Sequence, residues 1–286
     1  MTPVAKRSVV TASLILGLAV AFPSPSHAKG SGKGAPSRSK LPTPSATAGP
    51  SGATPFAWMD DASLVAPATV WLGISTMRWQ GAGLTEVNAP IVDLAIGVAP
   101  RLQFGASVPR VVGSSDPSGP AGGIGTTYLN AKIGLAQDDR TGFKLAVAPT
   151  IEVLSAGAVD LGENRTQWGL PLSAELERGI GRVYASAGFF SRGIRFIGAG
   201  GGMQFTPKFA GTLSLSRAWT TQPSIDPTVP MAARNEVSFG SSYSLTSNVG
   251  VFGSVSRTIA TTDENGAGTS LSIGMSFMLG PIRITE

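Results

Sequence analysis

Cysteine is absent from the 286 residues, and the one histidine, His27, lies close to the N-terminus. Without cysteine there can be no disulfides, thiol chemistry or cysteine–metal sites. If His27 leaves with a secretory leader, His-dependent serine hydrolysis, Cys-His proteolysis and His-ligated zinc are excluded too. The chain is therefore expected to be no enzyme and to hold no metal or cofactor. Charge is scarce, at 14% of residues against about 25% in ordinary domains. No apolar run beyond the N-terminus is long enough for a spanning helix. Spanning by strands stays open, because a barrel strand needs only about 9–11 residues with every second one apolar.

The N-terminus has the grammar of export. Lys6 and Arg7 precede an apolar stretch from Ser8 to Phe22, and Ser26-His27-Ala28 has the small-x-small form of a cleavage site. Residues 1–28 are read as a cleaved signal peptide, since Pro23 and Pro25 break a run already too short to span. Residues 29–60 form a Ser/Pro/Gly-rich basic linker that cannot bury enough surface to order itself. Its Lys29, Lys33, Arg38 and Lys40 suit residues 29–55 to contact with anionic cell-wall polymer, the plainer reading being a solvated tether. Removing these four with Lys6 and Arg7 from the 22 basic residues leaves 16 against 17 acidic ones. The remainder is close to neutral, and no basic patch with interleaved aromatics points to nucleic acid.

Residues 61–286 alternate. Twelve strand candidates fall near 69–79, 88–98, 102–112, 124–135, 143–154, 167–177, 182–191, 194–205, 210–219, 234–245, 250–259 and 269–279. Phe143, Leu145, Val147, Ile151 and Val153 share one face, opposite Lys144, Ala146, Ala148, Thr150 and Glu152. Leu271-Ser272-Ile273-Gly274-Met275-Ser276-Phe277 repeats the pattern at the end of the chain. So many half-apolar strands leave no second layer to cover the apolar faces. A closed barrel with lipid outside and a polar lumen inside is the economical solution. The fold class expected is all-β, a transmembrane antiparallel up-and-down β-barrel of about twelve strands in the cell outer membrane.

Short connections, such as Ala99-Pro100-Arg101 and Thr246-Ser247-Asn248, alternate with longer ones near 80–87, 113–123, 155–166, 220–233 and 260–268. Bacterial barrels show this alternation, with short periplasmic turns and long outer loops. The long set carries Glu86, Asp116, Asp160, Glu163, Asp226, Asp263 and Glu264. Such an acidic rim suits bridging through divalent cations to lipopolysaccharide or repulsion of anionic solutes, or it is simply solvated. Trp71, Trp79, Trp168 and Trp219 fall near strand ends, where an interfacial aromatic belt is expected.

The stretch Ala89-Pro90-Ile91-Val92-Asp93-Leu94-Ala95-Ile96-Gly97-Val98-Ala99-Pro100-Arg101-Leu102-Gln103-Phe104-Gly105-Ala106-Ser107-Val108-Pro109 resembles a known hairpin. It is similar to the strand, "G-x-T-x-R-L-x-x-G", strand and Pro pattern of transporter-like outer-membrane proteins of the phenol-degradation meta-pathway family. Ala99 stands where that pattern has a polar residue. The resemblance implies a barrel admitting hydrophobic or aromatic solutes and names no binding residue.

On the alternation, the lumen receives Asp93, Asn130, Lys132, Lys144, Glu152, Glu175, Glu177, Arg195, Gln204 and Glu236. Antiparallel pairing sets Lys144 opposite Glu177, with Glu175 one step above. These groups form either a constriction that selects solutes or a salt-bridge network that fills and stiffens a small barrel. The function expected is passage of small solutes without chemistry. The alternative is a plugged structural or adhesive barrel that binds through its loops or basic tail. Expected partners are outer-membrane lipid and lipopolysaccharide, the barrel-assembly machinery and small solutes.

Overall fold

The computed structural model describes residues 60–81, 84–115, 122–154, 164–221, 233–261 and 267–280. The expected signal peptide and all but the last residue of the expected linker lie outside them. The strands are β1 (Val70–Gly81), β2 (Leu84–Ala99), β3 (Leu102–Ser114) and β4 (Thr127–Asp138). Next come β5 (Phe143–Val147 and Thr150–Val153) and β6 (Thr166–Gly169 and Leu172–Arg178), each in two pieces. β7 (Gly181–Phe190), β8 (Ile194–Gln204), β9 (Phe209–Thr220), β10 (Ala233–Ser244), β11 (Val249–Thr261) and β12 (Thr269–Leu279) complete the set. A two-residue strand, Gly123–Ile124, pairs with the far end of β3.

Each strand pairs antiparallel with its sequence neighbour. The last returns to the first, from Val70 opposite Leu279 to Gln80 opposite Thr269. The result is a closed twelve-stranded barrel, as the alternation predicts. Closure gives backbone N–H and C=O groups partners within the sheet, which a wall facing hydrocarbon requires. The two interrupted strands carry Pro149 and Pro171, which have no N–H to give the ladder. Their carbonyls still accept, from the Ala131 amide at 3.0 Å and the Ala148 amide at 2.9 Å. The ladder thins there without opening.

Ile74, Val92, Phe104, Leu129, Ile151, Leu172, Val183, Ile197, Leu213, Phe239 and Ile273 stand on the exterior, and small or polar residues stand inside. The connection expected at 80–87 is much shorter than its composition suggests. β1 runs to Gly81 and β2 starts at Leu84, paired with it, so Glu86 belongs to a strand. The aromatic belt is also only half as expected. Trp168 is 54% exposed on the exterior and meets Phe189 edge-on at 5.2 Å, and Trp219 shares the outward face of β9. Trp71 and Trp79 turn inward, where Gly73 and Gly268 leave room for their rings.

Candidate functional site in the lumen

The end of the barrel with the short turns is filled from within by the chain's own N-terminal segment. Residues 60–69 precede β1 and fold into the lumen. Asp61 and Ala62 are almost fully buried there. Asp60 reaches Lys132 of β4 at 2.9 Å. Asp61 lies 3.6 Å from the same ammonium and 2.5 Å from the Arg182 guanidinium of β7, so one carboxylate ties two strands on different sides of the lumen. Ser63 donates to Glu175 Oε2 at 2.8 Å and accepts from Lys144 Nζ at 2.9 Å. The Val65 amide donates to Gln103 Oε1 at 2.7 Å, and the Ala68 amide to the Gly97 carbonyl at 2.8 Å. Gly97 is needed for this approach, because a Cβ there would come within 2.1 Å of the Ala66 carbonyl oxygen. The segment thus touches β2 through β7 and makes a strap across that half of the wall.

Lys144 pairs with both carboxylates assigned to it, Glu177 at 2.8 Å and Glu175 at 3.5 Å. The register differs from the one expected by one inward-facing position: Lys144 lies opposite Glu175. The Gly142 carbonyl, which accepts from the Glu177 amide at 3.0 Å, holds it so.

Nearer the long-connection end, hydrogen-bonded register sets Asp93, Ser107, Tyr128, Glu152 and Gln167 side by side across β2 to β6. The turn joining β7 to β8 is tight, with Gly193 at φ 84°, a conformation glycine adopts without strain. It directs Arg192 onto Glu152, 2.9 Å away and completely buried. Asp93 is buried directly opposite Ser107 of the next strand. Asn130, on the inward face of β4, lies against Gly105, where a Cβ would come within 2.6 Å of its amide.

The wall from β8 to β12 differs. Its inward face is mostly Ser and Gly, with one buried ion pair, Arg234 to Glu236 at 2.8 Å. Ser254 meets Ser272 at 2.7 Å and Ser256 meets Ser270 at 2.5 Å. Gly200 and Gly202 leave space for Tyr184 and Arg182. At the far end Phe190, Ile194, Phe196 and Ala218 pack into an apolar cluster inside the barrel.

Asp93, Asn130, Lys132, Lys144, Glu152, Glu175, Glu177, Gln204 and Glu236 therefore stand on the luminal face. Arg195 does not. It points outward beside Ile197, because its neighbours Ile194 and Phe196 enter the apolar cluster. Alternation misassigns it since the luminal face is apolar at that height. Sequence reasoning also missed Asp60, Asp61, Arg192 and Arg234, which pair with groups it named, and Arg182, which pairs with Asp61. The Asp60-Asp61 doublet, the first acids in the chain and just ahead of a barrel with inward lysines, was the available signal.

No protein-family model matches this chain, and no curated protein matches it in sequence. Solved structures do match in fold. An outer membrane channel from Pseudomonas putida F1 superposes with a TM-score of 0.55 at 18% identity, over 77% of this chain and 98% of that one. The NanC porin gives 0.54 at 10% identity, over 73% of this chain and 100% of its own. The KdgM porin in complex with disordered oligogalacturonate gives 0.50 at 10% identity, over 73% and 99%. At these identities the likeness is one of fold: an outer-membrane barrel.

Proposed function

We propose that this chain is a passive channel of the outer membrane, exported by residues 1–28, that passes small solutes without a chemical step. The carrying observation is the unequal division of the lumen. The strap occupies the side formed by β2 to β7, while β9 to β12 present mostly short hydroxyls and glycines, with Arg234 and Glu236 paired to each other. A solute moving along that side meets mainly neutral hydrogen-bonding groups and the mutually paired Arg234 and Glu236, and the charges opposite are spent on one another. This suits small molecules of low charge, and the hydrophobic or aromatic solutes implied by the family resemblance fall in that class. The basic linker remains a tether suited to anionic cell-wall polymer, and the assembly machinery an expected partner.

A second reading has its own support. The strap is anchored by Lys132, Lys144 and Arg182 together, which favours a plugged structural barrel. Single-channel recording of the refolded mature protein separates the two. Discrete steps in the wild type support the channel. Steps seen only in the D60N/D61N double variant make the strap a plug, and a folded barrel silent in both forms sinks conduction.

A further inference from the structure

Five arginines stand on the lipid-facing surface: Arg78 of β1, Arg110 of β3, Arg195 of β8, Arg217 of β9 and Arg257 of β11. Apart from Arg178 and Asp138 at the short-turn ends of β6 and β4, they are the charged side chains of the outward strand faces among the described residues. No carboxylate among the described residues pairs with any of them. Arg78 makes one long contact, to Gln80 at 3.4 Å.

Their placement is regular. Arg78 lies eight residues from Val70, Arg110 eight from Leu102, Arg217 eight from Phe209 and Arg257 eight from Val249, each the first residue of its strand. On β8, which runs the other way, Arg195 lies eight residues before Met203. Eight residues of a tilted strand rise about 20 Å along the barrel axis. The lipid-facing apolar band of such barrels is about 25 Å tall, so each guanidinium can extend to its upper edge.

Register shows that the five share one height. Arg195 pairs with Trp219, and Arg217 lies two residues below it. Projected through β10, Arg217 meets Ala260, with Arg257 three residues below. Projected through β12, Arg257 meets Gln80, with Arg78 two below. Projected through β2, Arg78 meets Gly113, with Arg110 three below. A steady step in one sense is what constant height requires when every strand tilts and the sheet is staggered. The arginines form an arc over eight neighbouring strands, and Trp168 with Phe189 occupies the stretch between its ends.

An unpaired charge facing hydrocarbon is costly unless it finds counter-charge at the interface. We infer that this arc is a binding site for the phosphate groups of the outer leaflet's glycolipid, the lipid A part of lipopolysaccharide, whose acyl chains lie on the apolar wall below. Guanidinium matches phosphate geometry with paired hydrogen bonds, and five in an arc engage several headgroups at once. The acidic loops considered from sequence would instead need divalent cations. The inference rests on outer-membrane placement and is independent of conduction.

The test is native mass spectrometry of the full mature protein, folded in zwitterionic detergent and checked by heat-modifiable gel migration. Bisphosphorylated lipid A is expected to bind about tenfold or more above lipid A stripped of both phosphates, and above phosphatidylglycerol. R78Q/R110Q/R195Q/R217Q/R257Q is expected to lose that preference, and the five Arg→Lys changes to keep part of it. The adjacent pair R195Q/R217Q, which perturbs the fold least, is expected to lose a measurable share. Equal binding of both lipid A forms, equal binding of phosphatidylglycerol, or an undiminished preference in the folded Gln variants would overturn the inference. Failure to fold into outer-membrane lipid at all would overturn the membrane placement instead.

Discussion

From β2 to β7 the wall turns Asp93, Lys132, Lys144, Glu152, Glu175 and Arg182 into the lumen, and the chain folds a strap of its own N-terminus across their lower end. From β8 to β12 it turns in mostly serines and glycines, whose hydroxyls pair across neighbouring strands, with Arg234 and Glu236 paired to each other. The two halves share one sheet and one outer solvent, so the contrast isolates what a charge demands in a narrow lumen. An ammonium or carboxylate removed from water needs a counter-charge and further hydrogen bonds, and Asp60, Asp61 and Ser63 supply them. A hydroxyl needs one neighbour and can take it from the next strand. Charge thus recruits a filler, and the largely neutral face does not.

The strongest way to break this contrast is to discharge the strap. In D60N/D61N, Lys132 and Arg182 lose their carboxylates while the segment keeps its shape. Conductance in a planar bilayer is expected to rise several-fold over the wild type. An unchanged conductance would mean either that the strap stays docked through Ser63, Val65 and Ala68 or that it never limited passage. A further S63A change, which removes the hydroxyl between Lys144 and Glu175, tells these apart.

Next in size is the loss of one charged partner from the wall. Lys132→Met leaves Asp60 and Asp61 facing a thioether, with Asp61 still held by Arg182. Breaking a buried pair from one side costs about 3 kcal/mol, which should appear as a lower urea midpoint for unfolding from lipid vesicles. D60N/K132M should recover most of it, because Asp60 is then neutral and Asp61 keeps its pairing with Arg182.

Most of the barrel could be read from sequence because period-2 alternation follows directly from a sheet with lipid on one side and water on the other. Hairpin register is local, so Lys144 lies within reach of Glu175 and Glu177, though it stands opposite Glu175 and not opposite Glu177 as the alternation suggests. The strap was not legible, since nothing in the pattern of residues 60–69 alternates and its partners are six different strands. Arg195 was misread for a related reason: inward Ile194 and Phe196 reverse the usual polarity where the lumen is packed with apolar side chains. Alternation reports the contrast between two surroundings, and it fails where both are apolar.

A smaller change tests the boundary between the halves. A Cβ on Gly200 of β8 would sit 2.7 Å from the Tyr184 ring and 2.9 Å from the Leu213 carbonyl oxygen. Gly200→Ala is expected to cost about 1–3 kcal/mol as overpacking, read by the same urea titration. Tyr184→Leu in that background should return part of it by freeing the ring's space. A full recovery would mean that the Leu213 backbone adjusts without strain, and no recovery would place the whole cost on the backbone.

The least effect is expected where the wall is neutral. Ser256 and Ser270 approach to 2.5 Å across β11 and β12, and neither is charged. A neutral hydrogen bond contributes about 1 kcal/mol net. Ser256→Ala and Ser270→Ala should therefore each cost about that or less, and the double variant hardly more than either alone. The coupling in this cycle should be well below that between Asp61 and Lys132, which is the quantity the contrast turns on. If the two couplings were equal, the serine wall would be as tightly held as the charged one. Its hydroxyls would then be structural, and the passage would have to run elsewhere.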